Sequence, residues 1–230
     1  MSSRVNQKQA NRVVREQLTR EKARTRRLWV TIGAVAVLVI AGLVGWGVYA
    51  SQRPDSYTAP AHTSANDDGL VIGSGPATVE VYLDFMCPHC KEFEDAAGST
   101  LNKLVDDKKI KLVYHPVAFL DGASTTEYST RSSAASGCAS DAGKLREFVT
   151  AMYANQPPEN SAGLSNDEII AKSGISGADF ATCVRDQKYK DWVSHVTDAA
   201  TNRGVNGTPT VYVNGKQVEA SADAITKAVG

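Results

Sequence analysis

Apolar positions recur along this chain in several distinct patterns, and each pattern predicts a different element. Residues 28–50, LWVTIGAVAVLVIAGLVGWGVYA, are apolar almost throughout, with Tyr49 the only ionisable group. About 20 such residues at about 1.5 Å each cross a hydrocarbon core about 30 Å thick, so the run predicts one transmembrane helix. Residues 51–68, SQRPDSYTAPAHTSANDD, contain two prolines and no periodicity, which predicts a flexible tether. From residue 69 to residue 230 the pattern is that of one compact domain. Leu70-Val71-Ile72, the turn Gly73-Ser74-Gly75-Pro76 and residues 77–85 predict a strand, a turn and a longer strand. A helix is predicted from Pro88 to about Asp107, with Phe93, Ala97, Leu101, Leu104 and Val105 near one face, and residues 110–114 return to strand.

Residues 124–203 contain no strand pattern but carry helix-start signals, Ser165-Asn166-Asp167-Glu168 and Ser176-Gly177-Ala178-Asp179, which predict several short helices. Residues 210–213 then read as a strand, Asn214-Gly215 as a hairpin turn, Gln217-Val218 as the partner strand, and residues 221–229 as a closing helix. The order is β-β-α-β, a helical block, then β-β-α. No internal repeat is visible. The fold class is α/β, with a helical subdomain inserted at about 124–203.

Charge adds a direction. Formal net charge is zero, so bulk electrostatics makes no case for nucleic acid as a partner. Residues 1–27, however, hold nine Lys or Arg against Glu16 and Glu21, and the remainder is correspondingly acidic. A basic flank before the apolar run predicts a cytoplasmic N-terminal tail and a domain outside the cytoplasm. Trp29, Trp46 and Tyr49 lie near the ends of the run, where amphipathic rings favour the interface. The competing reading is a cleaved signal peptide ending at Val48-Tyr49-Ala50, but the apolar stretch is longer than the usual 7–15 residues.

The chain has four cysteines, and two form Cys87-Pro88-His89-Cys90 directly after a strand and at the start of a helix. Cytochrome-type haem attachment needs His after the second cysteine, and here Lys91 follows. A structural zinc wants a second close pair of ligands, whereas Cys138 and Cys183 stand far apart and alone. Redox chemistry is the expectation, with no metal and no bound cofactor beyond the redox-active disulfide. At a helix N-terminus, unpaired N–H groups and the positive dipole end favour a thiolate on Cys87. Pro88 suits the first helical position, where a missing N–H costs nothing. His89 can add charge or a hydrogen bond, and Cys90, one turn in, is the more buried sulfur. Each power of ten in thiolate stability is about 1.4 kcal/mol, or about 30 mV for a two-electron couple, and makes the disulfide more oxidising.

The segment from Val79 through Asp84-Phe85-Met86 to Cys90, together with Gly207-Thr208-Pro209-Thr210-Val211, resembles the DsbA-like branch of the thioredoxin superfamily. His115-Pro116-Val117-Ala118-Phe119-Leu120-Asp121 is similar to membrane-anchored actinobacterial members. The resemblance spans about residues 70–230. It implies a thioredoxin fold with a helical insertion, a cis Thr208–Pro209 bond opposite Cys87 and Cys90 that binds extended clients, and a protein disulfide oxidoreductase. Reduced or unfolded exported proteins would be its partners. A quinone-linked membrane protein of the DsbB or vitamin K epoxide reductase type would reoxidise it. Cys138 and Cys183 would form a structural bridge, as in some members; free or regulatory thiols are the alternative.

Two departures bear on the reaction. Relatives often bury an acid six positions before the first cysteine, and that position is Val81 here. Glu80 alternates to the other face of the strand; Asp84 could substitute, or be a solvated strand-end residue. Thr208 before the proline resembles the disulfide isomerases, which usually dimerise through an added N-terminal domain that 51–68 is too short to hold. The expectation is a monomeric oxidase, with an isomerase or reductase, or a non-catalytic tethered binding module, as alternatives. His62, in the tether, and His195, on a helix surface, have no assigned role; His115 follows a central strand and could pack near the site.

Overall fold

A computed structural model describes residues 56–230. The predicted cytoplasmic tail, the apolar run and the start of the tether lie outside the described residues. Among the described residues, no helix is long and apolar enough to cross a membrane.

The sheet has five strands, β1 (Leu70–Ile72), β2 (Ala77–Leu83), β3 (Ile110–Pro116), β4 (Thr210–Val213) and β5 (Lys216–Val218), in the order β1-β3-β2-β4-β5. β2 and β3 are parallel, and the other pairings are antiparallel. Their crossover is α1 (Pro88–Asp106), which buries Cys90, Phe93, Ala97, Leu101, Leu104 and Val105. α2 (Tyr128–Asp141), α3 (Leu145–Ala154), α4 (Asn166–Ser173), α5 (Ala178–Arg185) and α6 (Lys190–Asn202) form the insertion, and α7 (Ala222–Val229) closes the chain. This is a thioredoxin-like α/β fold with a helical insertion.

Local chemistry accounts for most boundaries. Asn214 and Gly215 both have positive φ, 49° and 77°, as a tight hairpin requires. Ser165 and Glu168 form a reciprocal capping box on α4, and Ser221 caps α7. β2 stops at Leu83 rather than reaching Phe85, because the Asp84 carboxylate takes the Met86 N–H and its carbonyl takes the Cys87 N–H. β3 runs two residues further than its apolar pattern, to Pro116, which lies opposite Leu83.

α2 departs from the usual logic of a buried helix. It is largely enclosed, yet it carries Ser129, Ser132, Ser133 and Ser136. Ser132 and Ser136 bond back to carbonyls of their own helix, and Ser133 reaches the Val117 carbonyl. Satisfied hydroxyls and small side chains let α3, α5 and α6 pack closely around it.

The tether reading needs correction for its described part. Residues 57–68 lie against the domain as a strap. Pro60 is buried, and Tyr57 stacks on His195 at 4.4 Å. Asp141 accepts the Ala61 N–H, and Ser140 donates to the Ala61 carbonyl. Trp192 Nε1 donates to the Asp67 carbonyl at 2.6 Å, and His62 accepts from Val71. Prolines and polar side chains look like linker in sequence, but here partners on α2, α6 and β1 take up the polar backbone groups.

Cys138 of α2 and Cys183 of α5 are disulfide-bonded. Their separation of 45 residues places the bridge across most of the insertion. On the chain-entropy account, closing such a loop contributes about 4 kcal/mol. A Cys138→Ala/Cys183→Ala double variant is expected to unfold with about that much less stability in denaturant, with the thiolate of Cys87 still titrating as in the wild type.

Candidate active site

The turn between β2 and α1 is built around one buried carboxylate. Asp84 is fully buried, and its carboxylate accepts from Met86 N (2.9 Å), Leu120 N (2.9 Å) and Ser129 Oγ (2.6 Å). Its carbonyl accepts from Cys87 N (3.0 Å) and from the Tyr153 hydroxyl (3.2 Å). Gln156, just beyond α3, donates to the carbonyls of Phe85 (3.0 Å) and Cys87 (2.9 Å). The insertion therefore holds the backbone that presents the cysteines. Asp84, and not Glu80, is the fully buried acid beside the cysteine turn, and the solvated reading of Asp84 fails.

Cys87 is the N-cap of α1 with Pro88 next, and both Cys87 and Cys90 are free thiols, 5 % and 1 % exposed. The Cys87 thiol is lowered from its ordinary 9.0 to about 5. The largest cause is a hydrogen bond from the Cys90 thiol; burial opposes it; the Thr208 side chain and the backbone N–H groups of Cys90 and His89 add to the lowering. Cys90 is pushed far up, first by burial and then by its place beside the Cys87 anion. Asp84 is raised to about 6, chiefly by burial, against the pull of its three donors. The site thus settles one negative charge on Cys87.

His89 contributes a hydrogen bond through its backbone. Its imidazole is exposed and pairs with Glu92 at 3.0 Å, while its backbone N–H serves the sulfur. The Thr208–Pro209 bond is cis, and Cys87 Sγ lies 3.3 Å from the Thr208 carbonyl oxygen, to which it donates only when protonated, so that loop and the Cys87-Pro88-His89-Cys90 turn meet. A cavity of about 430 Å³ opens beside them between His89, Phe93, Pro209 and Ala220. His115 does not join the site. It is buried under β1, its Nδ1 2.6 Å from the Asp68 carbonyl. Among the described residues, no group of three or more His, Cys, Asp or Glu is placed to hold a metal. Tyr153, Gln156 and Ser129 carried no local signal, since each meets the turn from 45 to 71 residues away.

A protein-family model described as Thioredoxin matches residues 65–229. Oxidised DsbA from Mycobacterium tuberculosis is 32 % identical, with a TM-score of 0.60, covering 70 % of this chain and 93 % of that one. A probable disulfide bond formation protein D from Bacillus cereus is 24 % identical over 85 % of this chain and 91 % of its own. The serine/threonine-protein kinase PknE of M. tuberculosis is 34 % identical over 46 % of this chain, and the match spans only 20 % of that protein's length.

Titration of the reduced protein, followed by thiolate absorbance, is expected to show a midpoint near 5 for Cys87. Cys90→Ala removes the strongest donor and raises that midpoint, though not to 9.0, because the backbone donors remain. Asp84 makes a separate prediction. Its carboxyl ionises at about 6 when folded against 3.8 ordinarily, so folding loses stability as pH rises between those values. Across pH 4 to 7, wild-type stability relative to Asp84→Asn is expected to fall by up to about 3 kcal/mol in denaturant titrations.

Proposed function

Because the chain belongs to the thioredoxin family, in its DsbA-like branch of thiol–disulfide oxidoreductases, we propose that it is an oxidase donating a Cys87–Cys90 disulfide to exported proteins. One observation carries this reading: Cys87 is stabilised as an anion at about 5 while its partner Cys90 is held protonated. At pH 7 a thiol with that midpoint is about a hundredfold further towards thiolate than one at 9.0. The reduced pair gains about 3 kcal/mol, or about 60 mV, and its disulfide is correspondingly more oxidising.

The steps follow from which sulfur tolerates charge. A client thiolate attacks Sγ of Cys87; the client–Cys87 bond forms, and the Cys87–Cys90 bond breaks. Cys90 departs and takes up a proton, since its buried anion is costly. A second client thiolate then attacks the client sulfur of the mixed disulfide, and Cys87 leaves as its stabilised anion. The client loses two electrons and the pair gains them. One client proton ends on Cys90 and the other in solvent. The cis Thr208–Pro209 backbone lies where an extended client would pair.

The same reading places the enzyme, as a monomer, outside the cytoplasm. It is held by a helix over residues 28–50, with the basic tail 1–27 inside, as the positive-inside pattern supports. A quinone-linked membrane protein of the DsbB or vitamin K epoxide reductase type would restore the disulfide, and no bound cofactor or nucleic acid enters. Thr208 favours a second reading, an isomerase or reductase.

Two measurements decide. A reduction potential near about −120 mV supports the oxidase, and one near about −270 mV a reductase. Cys87→Ala is expected to abolish client oxidation, and undiminished turnover would remove Cys87 as the nucleophile. The reduced fold also has a pH signature. Its depressed Cys87 pKa contributes stability that is complete above 9 and lost as pH falls through 5. The Tm of the reduced form minus that of the oxidised form should therefore shrink from pH 8 to pH 4.

A further inference from the structure

Residues 204–209 connect α6 to β4 and carry Thr208 and Pro209 to the Cys87 sulfur. Few bonds within this loop hold it. Gly204 and Val205 donate back to Thr201 and Ala200 at its start, and Thr210 Oγ1 donates to the Gly207 carbonyl at its end. Asn206 and Gly207 are exposed.

Across the base of the loop lies Arg203, the C-cap of α6. Its Nη1 and Nη2 donate to the two carboxylate oxygens of Glu80 at 2.6 and 3.0 Å, and Nη1 also donates to the Tyr82 hydroxyl at 2.7 Å. Its guanidinium carbon lies 4.1 Å from the centre of the Tyr212 ring. Glu80 and Tyr82 belong to the central strand β2, and in register they face Tyr212 and Thr210 of β4. One side chain at the start of the loop therefore grips both the central strand and the strand into which the loop runs. The Glu80 carboxylate is only 17 % exposed, and the His115 imidazole 3.6 Å away and the Arg203 fork keep it ionised against that burial. A forked, stacked, partly buried pair of this kind resists the screening that weakens exposed ion pairs.

We propose that Arg203 is a positioning residue for thiol–disulfide exchange, fixing the loop 204–209 so that Thr208 meets Cys87 and the cis peptide meets the client. This rests on the reading of Cys87 as the exchanging sulfur. Arg203 acts through the loop, whose preorganisation spares each client the cost of ordering it.

The test uses the full chain in detergent, a dithiol peptide as client and glutathione disulfide as oxidant. Arg203→Gln keeps a polar amide but removes the charge, the fork and the reach to Glu80 and Tyr82. It is expected to raise KM for the peptide about tenfold with kcat little changed, one preorganised contact being worth about that factor. It should also move the Cys87 thiolate midpoint upward, and Arg203→Lys should restore part of both. A merely structural Arg203 would lower Tm and leave the midpoint and KM of the folded protein where they were. That result in a folded Arg203→Gln protein overturns the proposal. Should this variant fail to fold, Tyr82→Phe and Glu80→Gln each remove part of the same grip. Each must shift midpoint and KM in the same direction by a smaller factor, and no shift in either again overturns it. Failure of the underlying reading looks different: Cys87→Ala would keep full exchange.

Discussion

A sulfur anion enclosed by protein survives only where donors outweigh the cost of leaving water, and that balance at Cys87 organises the rest of the molecule. Burial alone would push the thiol up; it comes down because the Cys90 thiol, the Thr208 side chain and the first N–H groups of α1 converge on it. Each donor is delivered by a different part of the fold. Cys90 and the N–H groups come with the β2–α1 junction, Thr208 with the loop that ends in the cis bond, and the backbone of the junction is held by Tyr153 and Gln156 of the insertion. The helical insertion is therefore part of the site, fixing the turn from which the sulfur is presented.

Cys87, Cys90 and Asp84 share this small buried space, and burial, with repulsion from the Cys87 anion added, divides the work. With charge on Cys87, Cys90 and Asp84 both resist ionisation. Cys87, whose anion the donors stabilise, is the good leaving group, and Cys90 returns to a neutral thiol. Asp84 serves chiefly as an acceptor, tying the active-site turn to Leu120 and to α2 through Ser129. Within β2, Glu80 stands in the opposite situation, lowered to about 2 by His115 and Arg203, so that its charge is permanent. Two acids four residues apart on one stretch of chain are thus given opposite characters by their surroundings, enclosure for Asp84 and the Arg203 guanidinium with the His115 imidazole for Glu80.

Much of this was legible locally. The Cys87-Pro88-His89-Cys90 turn after a strand, the hairpin at Asn214-Gly215 and the capping box of Ser165 and Glu168 each depend on residues within a few positions of one another. The cis bond at Pro209 came from resemblance, because an X-Pro bond states no isomer by itself. The strap 57–68 has the sequence of a tether, because Pro, Thr and Asn are equally at home in a loose linker and in a segment whose backbone is bonded to α2 and α6. α2 gave no clear face, for its burial rests on small residues and self-satisfied serines rather than on an apolar stripe.

The sequence by itself therefore determined the element order, the reactive pair and the helix terminus that makes one sulfur an anion, because these rest on short-range periodicity and on backbone groups adjacent in the chain. Only the tertiary structure decided which acid is buried, what holds the cysteine turn, where the N-terminal strap lies and how Arg203 closes the proline loop. Those contacts join residues 45 to 125 positions apart, and a side chain's partner at such a distance is set by how strands and helices pack, which no local pattern encodes.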